Sequence, residues 1–212
     1  KGACSAYNET KYSRGVLPID TYKTDIDEFL GTKLELDWED LRAKVKEHGM
    51  RHSTLSAQMP SESSSVVSNE TNGIEPPRAF MNTKKSKKGP LKQIVPQYNK
   101  LKNNYSFLWD EGVNQGYIKI VAAMQKYFDQ AISGNWSYNP KLYENNEVPM
   151  SVMFNDLLTT YKYGWKTSYY QNTYDSKGED EELLGEVPEE FTQLAENPSI
   201  VIEEEECEAC NI

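Results

Sequence analysis

Apolar residues recur at helical spacing in four segments of the chain, and residues that start or stop helices flank each segment. The spacing predicts helices over Asp37–His48, Asn99–Asp110, Gln115–Ser133 and the residues between Pro149 and Gly164. In the first helix Asp37 caps the start, and Gly49 lies just past the end. The last helix carries an apolar stripe, which is the face that a surface helix packs on the core. The stripe consists of Val152, Met153, Leu157, Leu158 and Tyr161.

Other segments have the composition and the boundaries of β-strands. Ser53–Met59 predicts a short buried strand with Leu55, Ala57 and Met59 on one face, and Pro60 ends it because proline has no N–H to donate. The remaining predictions are a possible strand at Gly15–Ile19, a basic hairpin tip or exposed loop at Lys84–Gly89, a short strand or loop at Asn135–Pro140 and a buried strand at Trp165–Asn172. Helices and strand-like runs alternate, which is typical of an α/β layer or barrel.

A serine-rich stretch follows Pro60. Ser61, Glu62, Ser63 and Ser64 lie where a helix would begin, so hydroxyls and unpaired backbone N–H groups would project from its first turn. A helix start of this kind binds anions without a fixed positive charge. Serines are also common as simple helix caps, and the pattern alone favours that role.

Two adjacent tyrosines, Tyr169 and Tyr170, lie within the last predicted strand. Successive side chains of a strand point to opposite faces, so one ring would pack inward and the other outward. Tyrosine is an ordinary strand residue, and the pattern alone favours a structural role for both.

Composition and charge narrow the class of protein. The chain has 212 residues, 37% of them apolar, which suits one large domain or a piece of one. From Glu179 onward it carries 13 acidic and no basic residues, which leaves 20 of its 33 acidic residues and all 23 basic ones before that point. The acidity therefore belongs to the end of the chain, and residues 175–212 are predicted to be a disordered acidic tail after a domain over 1–174.

The sequence also argues against several kinds of partner. No apolar run approaches the roughly 18 residues of a membrane span, and the first residues lack the pattern of a signal peptide. The single basic cluster at Lys84–Lys88 is too small to predict nucleic-acid binding. Three cysteines do not suggest a secreted disulfide framework, so a reducing cytoplasm is expected. The chain opens without an initiator Met and in an unpatterned stretch, which suggests that it begins inside a domain.

Cys207 and Cys210 form a C-x-x-C pair near the end of the acidic tail. Two thiols at this spacing can close into a disulfide and reopen by exchange. A zinc site would need two more ligands, and the only histidines are His48 and His52, so no metal site is predicted. The pattern leaves a redox shuttle and an incidental cysteine pair equally open.

Several longer motifs resemble the large, catalytic subunit of class Ia ribonucleotide reductase. They are KGAC, LPIDTY, TLSAQMPSESS, NGIEPPR, MQKYFDQ, SYYQNT and the terminal pair of cysteines. The resemblance covers nearly the whole chain. It implies an α/β fold that forms the C-terminal portion of a ten-stranded α/β barrel, and an activity that reduces ribonucleoside diphosphates to deoxyribonucleoside diphosphates by radical chemistry.

The resemblance also implies a role for each candidate residue. The substrate diphosphate would be held by Ser61, Glu62, Ser63 and Ser64. Tyr169 and Tyr170 would relay an electron and a proton between the active site and a small subunit, whose di-iron–tyrosyl centre supplies the radical. Cys207 and Cys210 would reduce the active-site disulfide and be reduced in turn by thioredoxin or glutaredoxin. Their spacing is closer than in the family pattern, which leaves the preferred reductant open.

Other residues required by the family chemistry lie upstream of the matched region. They are a radical cysteine, two further cysteines, an Asn and a Glu, and Cys4 corresponds to none of them, so it is interpreted as a small structural side chain. The chain would therefore need an N-terminal piece of the large subunit, supplied either by a split gene or by a longer polypeptide. A different class of function is a non-catalytic redox-interaction scaffold whose tail dithiol is a thioredoxin substrate.

Overall fold

The computed structural model of the chain describes residues 2–86, 89–174, 181–183, 186–189 and 191. Its α-helices are α1 (Asp27–Leu30), α2 (Trp38–His48), α3 (Glu62–Val67), α4 (Tyr98–Leu101), α5 (Val113–Gln125) and α6 (Met150–Tyr163). Its strands are β1 (Met81–Ser86), β2 (Gly89–Ile94), β3 (Gly134–Tyr138), β4 (Ser168–Thr173) and β5 (Glu181–Leu183). Cys207, Cys210 and most of the predicted acidic tail lie outside the described residues.

Two strands, β3 and β4, pair in parallel. Parallel strands need a crossover connection, and α6 supplies it while packing on α5. The apolar face of α5 presents Ile118, Val121 and Ala122, which pack with Ile132 and Trp165. This β-α-β unit confirms the predicted α/β class, and the segment Asn135–Pro140 forms a strand, which was one of its two predicted alternatives. The strand predicted at Trp165–Asn172 is present as β4, but the expectation that it is buried is wrong, because residues 169–171 are exposed and Trp165, which is buried, precedes the strand.

The predicted basic hairpin is also present. β1 and β2 pair antiparallel from Met81↔Ile94 to Ser86↔Gly89, and β5 adds to the other edge of β1. A second small core lies beside the hairpin, where Ile94, Val95 and Val187 pack together with Tyr98. The hairpin is therefore the part of the fold to which β5 is attached.

The first predicted helix is confirmed with both of its ends. The Asp37 carboxylate accepts a hydrogen bond from Asp40 N, and Gly49 follows the helix with φ 71°. Val45 is buried on its inner face. By contrast, the strand suggested at Gly15–Ile19 is wrong, because this segment runs into a 3₁₀ turn closed by a hydrogen bond from Leu17 N to the Asp20 carboxylate.

Two predicted helices are shorter than their apolar spacing indicates. The segment Asn99–Asp110 keeps only α4 and one 3₁₀ turn, because Leu108 N donates to Pro77 O and so draws the chain into a tertiary contact. The helix predicted over Gln115–Ser133 ends at Gln125. That side chain donates to Gln130 O and accepts from Ile132 N, so it turns the chain away from the helix axis and into β3.

The segment Ser53–Met59 is not a buried strand. Its one ladder contact is a parallel bridge from Gln58 to Ile132. Leu55 and Met59 are 59% and 60% exposed, and Ala57 is exposed as well, so the predicted buried face is wrong. Polar contacts hold this segment instead, and they are described with the site below.

The buried face of α6 is rotated away from the one its apolar stripe predicts. Its buried residues are Asp156, Thr160 and Tyr163. Two members of the stripe, Val152 and Met153, are half-buried, whereas the others are exposed, with Leu158 and Tyr161 at 50% and 70%. The physical reason is the Asp156 carboxylate, which accepts hydrogen bonds from the side chains of Asn114 and Gln115 at the start of α5.

Candidate active site

The serine turn, which we define as Ser61–Ser64, starts the short helix α3. Ser61 takes the N-cap position, but its hydroxyl makes no capping hydrogen bond to the helix. The Ser61 Oγ accepts from Gly73 N at 3.0 Å instead, and Ser61 N donates to Asn72 Oδ1 at 2.7 Å. The turn is therefore anchored to the Asn72–Gly73 segment, and simple capping does not describe Ser61.

The other side chains of the serine turn point outward where they are described. Ser63 and Ser64 are exposed, and Ser64 Oγ lies 3.4 Å from Ser61 O. The first helical hydrogen bond runs from Ser65 N to Ser61 O, so the N–H groups of residues 62–64 have no partner inside the helix. The side chain of Glu62 lies outside the described structure. Hydroxyls and backbone N–H groups thus gather at one end of α3.

A carboxylate fixes the chain that leads into the serine turn. Asp129 accepts hydrogen bonds from Leu55 N at 2.7 Å, Ser56 N at 3.0 Å and the Tyr12 hydroxyl at 2.7 Å. Partial burial of Asp129 disfavours its charged form, but the hydrogen bonds from Tyr12 and the backbone outweigh burial and lower the pKa of Asp129. Ser133 N also donates to Gln58 O, which holds the approach to the turn beside the approach to β3.

The two tyrosines share one side of β4. Their ring centroids are 4.2 Å apart with an angle of 55° between the ring planes, and they are 55% and 60% exposed. The strand register explains this arrangement, because Gly134 pairs with Ser168 and Trp136 pairs with Gln171. Tyr169 and Tyr170 therefore oppose one residue, Asn135, in a β-bulge. The expectation that the rings point to opposite faces is wrong, since a bulge breaks the alternation of the strand.

Asn135 bridges the bulge to the segment that follows the serine turn. Its Oδ1 accepts from Tyr170 N at 3.0 Å, and its Nδ2 donates to Glu75 Oε1 at 2.5 Å. Glu75 is buried at 9% exposure, and Glu75 N donates to Asn72 O at 3.3 Å. Burial and the Glu75 charge raise the pKa of the nearby Tyr117. The anchor of Ser61 and the bulge of Tyr170 are thus connected through consecutive hydrogen bonds.

Hydrogen bonds connect the serine turn to the tyrosine pair. They run from Ser61 through Asn72, Glu75 and Asn135 to Tyr170. The bulge lies in the first half of β3 and β4, whereas active sites of parallel α/β sheets usually form at the carboxyl ends of the strands. The candidate site is therefore defined by this hydrogen-bonded connection and not by the ends of the strands.

Sequence reasoning missed several polar residues that hold the serine turn and the tyrosine pair. Asn72, Glu75, Asp129 and Asn135 are short polar side chains without a local motif, and the clearest signal was Glu75, whose charge lies beside two prolines in NGIEPPR. A cavity of about 620 Å³ between residues 69–78 and the β2 strand is lined in part by Asn72 and Glu75. It had no sequence signal, because residues distant in the chain form it.

Within the part of the chain that the structure describes, no cluster of three or more His, Cys, Asp or Glu side chains could hold a metal ion. No described helix is both long and apolar enough to cross a membrane. Cys4 is a half-buried free thiol, and its N–H donates to Met50 O at 2.8 Å, a contact that suits a structural role.

Comparison with known proteins gives the family. The family described as "Ribonucleotide reductase, barrel domain" matches residues 1–110 and 97–171. The chain is 55% identical over 184 residues to the ribonucleoside-diphosphate reductase subunit alpha of Haemophilus influenzae, covering 87% of this chain and 24% of that protein. It is 53% identical over 175 residues to the ribonucleoside-diphosphate reductase 1 subunit alpha of Escherichia coli, covering 82% of this chain and 23% of that protein. It is 44% identical over 183 residues to the ribonucleoside-diphosphate reductase subunit alpha of phage T4, covering 85% and 24%. It spans about a quarter of the length of these relatives. The chain belongs to the ribonucleotide reductase family, within the barrel domain of the large subunit.

Proposed function

We propose that this chain forms part of the active site of a ribonucleoside-diphosphate reductase, where it binds the substrate diphosphate and relays the radical. The reaction replaces the 2′-hydroxyl of a ribonucleoside diphosphate with hydrogen and releases water, while a dithiol is oxidised to a disulfide. One observation carries the proposal: consecutive hydrogen bonds connect the anchor of the serine turn to the bulge of the tyrosine pair in a chain of this family.

The serine turn is suited to a diphosphate. Two exposed hydroxyls, of Ser63 and Ser64, and the N–H groups of residues 62–64 surround the start of α3, and hydrogen bonds from such donors to an anion are stronger than between neutral groups. Glu62 would contribute its backbone N–H, because its carboxylate would repel the ligand. The anchor from Ser61 to Asn72 and Gly73 holds these donors in place before the substrate arrives.

The tyrosine pair is suited to radical transfer. Each phenol can lose an electron and a proton together, and the 4.2 Å separation of the ring centroids permits direct passage between them. More than half of each ring is exposed, so a partner surface can reach the pair. The partner is a small subunit whose di-iron–tyrosyl centre generates the radical, and that cofactor is not held by this chain.

The remaining parts of the enzyme complete the proposal. The N-terminal piece of the large subunit supplies the radical cysteine and the reducing cysteines, and this chain contributes the C-terminal portion of the ten-stranded barrel with residues 1–174. The acidic segment 175–212 carries Cys207 and Cys210, which return two electrons to the active-site disulfide and are themselves reduced by thioredoxin or glutaredoxin. The setting is the cytoplasm, where these reductants operate.

Replacement of the phenols tests the proposal. In the complete reductase, Tyr169→Phe and Tyr170→Phe keep the rings and remove the groups that carry the radical, so we expect turnover to fall by more than about 100-fold. Binding of the ribonucleoside diphosphate is expected to stay unchanged, since the serine turn is intact. Steady-state rates and equilibrium binding measure the two effects. Full turnover in both variants would refute the relay and favour a non-catalytic scaffold.

A further inference from the structure

The bulge in β4 needs a side chain to hold it. A regular strand would place Tyr169 and Tyr170 on opposite faces, and the extra residue of a bulge lies outside the normal ladder pairing. Bulges are unusual in parallel pairs, and they are found beside active sites, where they redirect a side chain. Asn135 is the residue opposite this bulge, and its Oδ1 accepts the Tyr170 N–H at 3.0 Å.

The surroundings of Asn135 require an amide. The Tyr170 N–H can only donate, and Glu75 Oε1 accepts a hydrogen bond from the side chain of residue 135, so one end of that side chain must accept and the other must donate. Asn135 meets both needs, with 2.5 Å between its Nδ2 and Glu75 Oε1. A carboxylate at this position would face the Glu75 carboxylate at hydrogen-bonding distance, and an apolar side chain would leave the buried Glu75 without this donor.

The strand that carries Asn135 cannot shift to compensate. An added Cβ on Gly134 would lie 2.4 Å from the Tyr117 hydroxyl and 2.8 Å from a ring carbon of Trp165, so β3 rests directly on two aromatic side chains. Tyr117 and Trp165 are themselves buried in the main core. The position of Asn135 relative to the bulge is therefore set by the core.

We infer that Asn135 is a positioning residue for the radical relay: its amide, oriented by Glu75, holds the bulge that brings the rings of Tyr169 and Tyr170 together. This inference rests on the proposed relay role of the tyrosines. Asn135 touches neither the substrate nor the phenol groups in this role. It acts through the backbone of Tyr170.

A swap of hydrogen-bond polarity tests the inference in the complete reductase. Asn135→Asp keeps an acceptor for Tyr170 N but places a carboxylate against Glu75. We expect kcat to fall by about 10- to 100-fold, since small displacements of reacting groups cost that much, while KM for the diphosphate stays within about twofold. A fluorotyrosine at position 170 should change its ¹⁹F shift, which reports the contact between the rings. Adding Glu75→Gln supplies a donor to the new carboxylate, and it should restore both kcat and the ¹⁹F shift.

Controls separate this inference from the proposed function. Asn146→Asp makes the same chemical change at an exposed position, and it is expected to leave kcat and the ¹⁹F shift unaltered. Full kcat and an unchanged ¹⁹F shift in Asn135→Asp, with both Tyr→Phe variants inactive, would overturn the positioning role alone. A double variant that stays as impaired as Asn135→Asp would also overturn it. Active Tyr→Phe variants would instead overturn the relay itself.

Discussion

At the scale of single residues, one carboxylate organises the approach to the candidate site. Asp129 gathers the Tyr12 hydroxyl and the N–H groups of Leu55 and Ser56, so three donors from two distant segments converge on one side chain. A segment with a single bridge to a neighbouring segment depends on such contacts, because the N–H groups of Leu55 and Ser56 bond to this carboxylate and not to a strand. The stability of this region is therefore expected to follow the charge of Asp129.

The first prediction concerns Asp129→Asn. An amide retains one acceptor oxygen but turns an NH₂ group towards the remaining donors, so we expect the free energy of unfolding to fall by about 1–2 kcal/mol. Urea titration of the purified chain measures the loss, with Asp110→Asn as a control on a more exposed turn. An Asp129→Asn variant as stable as the parent chain would show that these hydrogen bonds contribute little.

Asp129 also gives the stability a pH dependence. Its pKa is lower in the folded chain than in the unfolded chain, so its contribution is complete above the unfolded pKa of about 3.9 and is lost as the pH falls through the lower folded value. The unfolding midpoint of the parent chain should approach that of Asp129→Asn in acid. If the difference between the unfolding midpoints of the two chains stayed constant from pH 7 down to acid, the pH dependence could not be assigned to the lowered pKa of Asp129.

At the scale of elements, the limits of sequence reasoning follow from which contacts are local. The α2 helix was predictable to its ends because Asp37 and Gly49, which set them, are adjacent to it. The end of α5 was not predictable, because Gln125 ends the helix through hydrogen bonds to Gln130 and Ile132, which lie beyond it. The bulge at Tyr170 was invisible as well, since it exists only in the register with β3. Motifs marked the serine turn and the tyrosine pair as candidates, whereas the polar residues that hold them could be recognised only from the fold.

The rotated buried face of α6 leads to the second prediction. Asp156→Ala removes the acceptor shared by Asn114 and Gln115 in a buried contact, and we expect a loss of about 2–3 kcal/mol in unfolding free energy. Leu158→Ser replaces an apolar side chain that is half exposed, and it should cost less than about 0.5 kcal/mol. Thermal and urea unfolding of the two variants and the parent chain measure these losses of unfolding free energy. If Leu158→Ser proved the more damaging change, the apolar stripe would be the buried face after all.

At the scale of the whole molecule, the serine turn and the tyrosine pair are held by different contacts. The serine turn is anchored by Asn72 and Gly73, and the tyrosine pair by the register of β3 and β4. The two are connected through Asn72, Glu75 and Asn135. Under the proposed function, substrate binding and radical transfer are thus expected to respond to different substitutions.

The third prediction uses this separation. In the complete reductase, Ser64→Ala removes a hydroxyl expected to donate to the charged diphosphate, a hydrogen bond worth about 1.5–3 kcal/mol, so KM should rise by about 10-fold or more. If substrate and transition state use that bond equally, kcat stays near its parent value. Ser53→Ala, an exposed serine before the turn, is the control and should change neither constant. A Ser64→Ala variant with lower kcat and unchanged KM would show that the serine turn acts in the chemical step and not in holding the diphosphate.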